Sequence, residues 1–214
     1  MLVKVCGITR LEDAEYAVAC GANALGFVFW PDSPRFIDPS RAKAIVGVLP
    51  PLVTPVGLFV NQTSDHVNTV AATVRLGAIQ LHGDETAADV DKLESPVLKA
   101  ISLAQSSDRE LEQWSRRTML LIDAHDPVRR GGTGRTVDWA RAATIASRRR
   151  VVLAGGLTPE NVAAAIACVK PFGVDVSSGV ESAPGVKDHR KLRAFFDAVV
   201  RASSLERTGG ESEP

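Results

Sequence analysis

Cysteine is scarce in this chain and is not arranged for cross-linking. Cys6, Cys20 and Cys168 are the three among 214 residues, and they form neither a CxxC pair nor a zinc spacing. An odd count without a pairing pattern argues against a disulfide framework and points to a reducing, cytoplasmic setting. Charge of a prevailing sign is missing as well. Lys and Arg total 25, Asp and Glu total 25, and the net charge is +0, which removes any global electrostatic case for nucleic acid or an anionic membrane. The run Arg148-Arg149-Arg150 is read as a solvated corner between a helix and a strand. No apolar run approaches membrane-spanning length. A strand-like run begins at Leu2, which leaves no room for a targeting segment ahead of it. There is no GxGxxG dinucleotide fingerprint, and no His/Asp/Glu cluster has metal-ligand spacing, so no metal is expected.

What is present is repetitive. With 45% hydrophobic residues the chain can bury one substantial core. Compact β-prone runs recur at 2–6, 24–29, 53–60, 77–82, 96–101, 118–123, 151–154 and 173–177. Thr9-Arg10-Leu11-Glu12 resembles a capping box that opens a helix to Cys20. Further helical patterns lie at 40–48, 64–75, 85–93, 107–116, 138–147, 159–168 and 188–201. Strict alternation implies a parallel sheet covered by helices. Eight units predict an α/β chain folded as a single (β/α)8 TIM barrel over 1–202, followed by a polar, disordered tail at 203–214. A doubly wound open sheet is the alternative, with its ligand crevice at a strand-order switch point.

The stretch Val151 to Asn161 reads as a buried strand, a glycine pair and a helix with Thr158 at the N-cap and Pro159 at the first helical position. Gly155 and Gly156 carry no side chain to hold a ligand away from the backbone, and amides ahead of a helix suit a phosphate. Gly173 to Gly179 repeats the pattern one strand later, with Ser178 and Gly179 in its loop. Two consecutive loops of this kind on the last strands of a barrel point to a small phosphorylated molecule.

Active sites of such barrels lie at the carboxyl ends of the strands. Cys6, Asn61, His82 and Asp123 fall there, with Arg35 in the loop after strand two. Cys6 is either a core thiol or a base. Lys4, two residues back on the same face, favours the thiolate. Lys4 itself needs an anionic partner, and the neighbour strand of a closed barrel offers Asp175. Asp123 ends the apolar strand Met119 to Ile122 as a loop anchor or a general acid. His82 is either a hydrogen-bonded structural histidine or a site residue. Arg35 is either a surface turn residue or a planar fork for a carboxylate. The loop Gly131 to Arg135 is long enough to cover a ligand.

Lys4-Val5-Cys6-Gly7-Ile8-Thr9, Ser33-Pro34-Arg35, Gln80-Leu81-His82-Gly83, Gly131 to Trp139, Ala154 to Asn161 and Asp175 to Glu181 together resemble the phosphoribosylanthranilate isomerase family of tryptophan biosynthesis. The likeness covers nearly the whole chain. It implies an Amadori rearrangement of N-(5-phosphoribosyl)anthranilate with Cys6 as general base and Asp123 as general acid. It also implies Arg35 on the anthranilate carboxylate and His82 within the substrate site. The phosphate would lie on the amides near Gly155, Gly156, Ser178 and Gly179, with Gly132 and Thr133 assisting. No cofactor is implied, because the electrons move within one substrate, and the assembly expected is a monomer or homodimer.

The histidine-pathway sugar isomerase runs the same rearrangement, but that family carries an aspartate where Cys6 stands and two similar halves that are not evident here. Indoleglycerol-phosphate synthase needs catalytic lysine and glutamate residues and a longer N-terminus. A non-catalytic phosphosugar-binding barrel would need neither Cys6 nor Asp123, and a metal-dependent epimerase lacks its ligands.

Overall fold

The computed structural model describes residues 1–104, 106–123 and 138–208. Strand and helix alternate as β1 (Leu2–Cys6), α1 (Leu11–Cys20), β2 (Ala24–Val28), α2 (Pro39–Val46), β3 (Thr54–Phe59), α3 (Ser64–Val74), β4 (Ala78–Leu81) and α4 (Ala87–Val90). The second half continues with β5 (Val97–Ser102), α5 (Asp108–Glu112), β6 (Met119–Asp123), α6 (Trp139–Ala146), β7 (Val151–Ala154), α7 (Val162–Val169) and β8 (Gly173–Val176). A 3₁₀ turn at Ser178–Val180 leads into a short hairpin, β9 (Glu181–Ala183) and β10 (Val186–Lys187), and then α8 (His189–Thr208). Strands β1 to β8 pair in parallel, and β8 closes on β1 with Lys4 opposite Asp175. The closed (β/α)8 barrel excludes the open-sheet alternative.

Side chains alternate along each strand, so every strand serves two cores. Val3, Val5, Leu25, Phe27, Ile79, Leu120, Ile122 and Leu153 point outward and join Ala14, Val67, Val74, Ile166 and Phe195 of the helices in the main core. Inside the barrel the apolar packing is broken into two small groups. One is Ala24, Val56 and Ala78 with Leu98, and the other is Leu121, Val152 and Ala154 with Ala100 and Met119. Lys4 pairs in register with inward-facing Ala24, so it shares the interior. Gly26 on β2 makes the necessary room. A Cβ there would fall 2.8 Å from Cys6 Sγ and 3.1 Å from Lys4 Nζ, so any side chain would displace both.

Several local expectations need correction. The N-cap of α1 is Arg10, because the Thr9 hydroxyl donates to the Gly185 carbonyl in the hairpin. Helix α7 starts at Val162, and Pro159 lies in a turn ahead of it. Asn161 explains this: its side-chain Oδ1 accepts from the Thr158 amide and its Nδ2 donates to the Gly156 carbonyl, so the stretch closes on itself first. Helices α4 and α5 are single turns held by the capping boxes Thr86–Asp89 and Ser107–Glu110. The β9–β10 hairpin was not expected, and α8 continues through Ser203 to Thr208.

Candidate active site

A cavity of about 460 Å³ opens at the carboxyl ends of the strands. Its wall takes Cys6 from β1, Arg35 from the loop after β2, Gln80 and His82 from β4 and its end, and Asp123 from β6. Gly155 and Gly156 follow β7, while Asp175, Ser178 and Gly179 come from β8 and its loop. Trp30, Val28, Leu58 and Val60 add an apolar side.

Cys6 is buried, and Lys4 beside it donates to Asp175 Oδ1 at 2.8 Å. The pairing expected from strand adjacency is therefore present. Burial opposes the charge on Lys4, but Asp175 and Cys6 outweigh it and hold the ammonium above its usual value. Lys4 favours the thiolate, as its place on the shared face suggests, but a larger effect opposes it. Burial pushes Cys6 up, and the pull of Lys4 and Lys187 does not overcome it.

Across the cavity, Asp123 Oδ2 lies 3.3 Å from His82 Nε2, and Gln80 Nε2 is 3.0 Å from His82 Nδ1. The Gln80 amide and the Asp123 carboxyl thus face the two ring nitrogens of His82 from opposite sides. Period-two spacing puts Gln80 and His82 on one face, and small Ala100 on the intervening strand keeps the path to β6 open. Among the described residues, Gln80 Oε1 and Ser177 Oγ are buried without a partner, and both residues line the cavity.

Arg35 is anchored from the hairpin. Its Nε is 2.9 and 3.1 Å from the two Glu181 carboxylate oxygens, and its Nη2 is 2.6 Å from Oε2. Lys187 Nζ donates to Glu181 Oε1 at 2.8 Å and to the Cys6 carbonyl at 2.6 Å. Burial alone would raise Glu181, but Arg35 and Lys187 outweigh it and keep the carboxylate ionised. The Glu181 hydrogen bond in turn raises Arg35.

The two glycine loops meet at the other side of the cavity. Gly155 and Gly156 have φ of 85° and 64°, backbone that side chains rarely tolerate. Gly179 lies against the Leu157 carbonyl with no space for a Cβ, so the loops after β7 and β8 form one surface.

Cys6, Arg35, His82, Asp123, Gly155, Gly156, Ser178 and Gly179 thus come together as the sequence suggested. Gly132 and Thr133 lie outside the described residues. Asn61 is not part of this cavity: it has φ of 52°, and its amide and side chain tie to Glu85 and Asp84. Arg149 is not simply solvated either, because it donates to the carbonyls of Leu111, Trp114, Ser115 and Thr118. Sequence reading gave no role to Gln80, Glu181 or Lys187. The i, i+2 spacing to His82 could have flagged Gln80, whereas Lys187 has no local signal.

A closed (β/α)8 barrel that gathers a thiol, a carboxyl–imidazole pair, a guanidinium and two glycine loops at one rim has the form of a small-molecule barrel enzyme. The family model described as N-(5'phosphoribosyl)anthranilate (PRA) isomerase matches residues 3–198. An N-(5'-phosphoribosyl)anthranilate isomerase of Trichlorobacter lovleyi is 51% identical over 195 residues, 91% of this chain and 95% of that one. The crystal structure of phosphoribosyl anthranilate isomerase from Thermotoga maritima superposes with a TM-score of 0.86 at 44% identity, covering 94% of this chain and 99% of that one. A phosphoribosyl anthranilate isomerase solved in complex with reduced 1-(o-carboxyphenylamino)-1-deoxyribulose 5-phosphate gives 0.82 at 42% identity, with 94% and 100% covered. The chain belongs to the phosphoribosylanthranilate isomerase family and is an isomerase of tryptophan biosynthesis.

Proposed function

We propose that this chain converts N-(5-phosphoribosyl)anthranilate to 1-(2-carboxyphenylamino)-1-deoxyribulose 5-phosphate by an Amadori rearrangement. The observation that carries the reading is the convergence of Cys6, Asp123 with His82, Arg35 and the paired glycine loops on one cavity. The product analogue bound by a 42%-identical relative supports it.

The chemistry needs an acid first and a base second. Asp123 gives a proton to the ribose ring oxygen, the C1–O bond breaks, and the nitrogen lone pair forms the C1 iminium. Cys6 as thiolate then removes the proton on C2, and the electrons collapse to an enolamine that tautomerises to the ketone. The contact with His82 Nε2 orients the Asp123 carboxyl within the cavity. The reactive form has Asp123 protonated and Cys6 as thiolate, the thiol proton having passed through solvent to the carboxylate before ring opening, and Lys4 and then the iminium favour the charged sulfur. Arg35 holds the anthranilate carboxylate, and the amides near Gly155, Gly156, Ser178 and Gly179 hold the phosphate. Gln80 Oε1 and Ser177 Oγ are available to substrate hydroxyls.

Three free cysteines suit a reducing cytoplasm. The assembly is a monomer or a homodimer, the second being described for a Thermotoga maritima relative. No helix among the described residues is long and apolar enough to cross a membrane.

The test is steady-state turnover of freshly made phosphoribosylanthranilate. Cys6→Ala and Asp123→Asn should each lower kcat by ~10²-fold or more with the melting curve intact, as expected for loss of a general base or acid. Near-full activity in either variant removes that residue from the mechanism. Binding without turnover in the parent chain leaves only a phosphosugar-binding barrel.

A further inference from the structure

The hairpin after the second glycine loop carries a carboxylate that the rearrangement does not use. Glu181 is 7% exposed and opens β9. A carboxylate so close to an anion-binding site works against binding unless it has a purpose, since like charges disfavour one another. Its position relative to Arg35 supplies one.

A guanidinium has five N–H groups in one rigid plane. Glu181 takes the side-on edge, the one made by Nε–H and the inner hydrogen of Nη2. The end-on edge, made by Nη1 and the outer hydrogen of Nη2, points away from Glu181 by the geometry of the plane. That edge suits a second carboxylate bound through two parallel hydrogen bonds. The stem of Arg35 crosses Gly7, where a Cβ would fall 2.6 Å from Arg35 Cδ, so the fork is held next to Cys6.

Glu181 is itself fixed. Its Oε1 accepts from Lys187 Nζ at 2.8 Å and from the Gly185 amide at 3.3 Å. Lys187 reaches the Cys6 carbonyl from the same nitrogen. One hairpin therefore sets both the plane of the guanidinium and the backbone of the thiol.

We infer that Glu181 is a positioning residue that occupies the side-on edge of Arg35 and so presents its end-on edge to the aromatic carboxylate of the substrate. This rests on the proposed role of Arg35 as the carboxylate clamp. Glu181 touches no reacting atom. Its effect is confined to ligands that carry the carboxylate, which separates it from an ion pair that only holds the hairpin in place.

The experiment compares two ligands by calorimetry. One is reduced 1-(o-carboxyphenylamino)-1-deoxyribulose 5-phosphate, and the other is its phenylamino counterpart without the ring carboxylate. Glu181→Gln should weaken the first by ~10-fold, the loss expected when a charge-assisted hydrogen bond is misaligned, and the second by less than about twofold. In an Arg35→Ala background the same change should cost nothing further on either ligand. Glu181→Asp keeps the charge that Lys187 needs and should show the same split, so a Gln variant that fails to fold does not end the test. Equal weakening of both ligands would mean a structural ion pair and overturns the proposal. Tighter binding of the carboxylated ligand would mean that Glu181 tempers the clamp, and overturns it too. If Arg35→Ala itself does not separate the two ligands, the clamp reading fails and this inference falls with it. If Arg35→Ala separates them and neither Glu181 variant does, only the positioning role is lost.

Discussion

Lys4 and Lys99 invite comparison because so much about them is the same. Each is a strand lysine, 1% and 3% exposed, with a carboxylate oxygen at 2.8 and 2.7 Å respectively. They differ in which face of the sheet they leave. Lys99 sits in register with outward-facing Leu81 and Leu120 and extends toward the shell of helices. Its ammonium donates to Glu85 and to the Gly83 carbonyl, while Glu85 accepts from the amides of Gly83 and Asn61. That set gives both carboxylate oxygens of Glu85 partners within the protein and fastens the loops after β3 and β4 together. Lys4 leaves the inner face, beside Cys6, and among the described residues Asp175 accepts from Lys4 alone. Asp175 also lines the cavity. A buried ion pair whose hydrogen-bonding capacity is used up is a fastener, whereas one with capacity left toward a cavity can take part in chemistry.

The largest effect that could break this distinction comes from cutting both lysines to the same apolar residue. Lys4→Met and Lys99→Met each leave a buried carboxylate unpaired, at a cost of about 3–5 kcal/mol in stability. Urea unfolding should show losses of similar order for the two. Turnover should not match. Lys4→Met removes the cation that favours the Cys6 thiolate and should lower kcat by ~10²-fold or more. Lys99→Met should keep kcat/KM within about twofold below its melting range. Similar losses of turnover in both variants would erase the contrast between the two faces.

The same contrast explains what could be read from the sequence and what could not. The barrel was legible because eight strand–helix units repeat and parallel strands covered on both sides need apolar runs. The Lys4–Asp175 pair was legible because closure makes β8 the neighbour of β1, so topology alone brings the two together. The Lys99–Glu85 pair was not: its partners lie in loops whose path depends on Asn61 adopting a left-handed backbone. The caps at Thr9 and Thr158 failed for a related reason. Both are reasonable N-caps locally, but the Thr9 hydroxyl is drawn to Gly185 and the Thr158 amide to Asn161. Glu181 was inside a recognisable segment yet had no assignable role, because its meaning depends on a hairpin that packs Arg35 and Lys187 around one carboxylate. The pull of Lys4 on the Cys6 thiol was legible from their spacing, whereas the larger, opposing effect of burial was not, because spacing says nothing about how deeply the thiol is buried.

A smaller effect sharpens the comparison through pH. The active form needs a protonated acid and a thiolate together, although a carboxyl ordinarily loses its proton several units below a thiol. The two groups then hold one proton between them across the neutral range, and the fraction in the active arrangement stays constant. kcat/KM should be level there and fall as pH rises through the Cys6 value, when that one proton is lost. Burial raises the thiol, so the fall should begin above the ordinary cysteine value of ~8.5. Lys4→Met takes away a charge that pulls the thiol down, so its residual activity should fall at still higher pH, while Lys99→Met leaves the limb in place. A limb below the ordinary cysteine value, or one that moves with Lys99 and not Lys4, would assign the titration to another group.

A third lysine–carboxylate pair sets the lower end of the series. Lys92 Nζ lies 3.0 Å from Asp89 Oδ1, with the two side chains 59% and 42% exposed. Asp89 is held at about 2, first by the Thr86 backbone amide and only then by Lys92. Its other oxygen accepts from the Thr86 amide and hydroxyl at 2.9 and 2.8 Å, closing the capping box of α4. Because the folded value is depressed, the contribution of this carboxylate is complete above the ordinary aspartate value and is lost as pH falls through about 2. Lys92→Met should therefore leave the Asp89 titration, followed by carboxyl NMR, well below the ordinary range, and kcat/KM unchanged. Removing the amide's partner with Asp89→Ala should fray α4 even with Lys92 in place. A return of Asp89 to an ordinary value on loss of Lys92 would show that the cation holds the charge. The ranking of the three pairs would then follow the presence of a lysine rather than what else the carboxylate is bonded to.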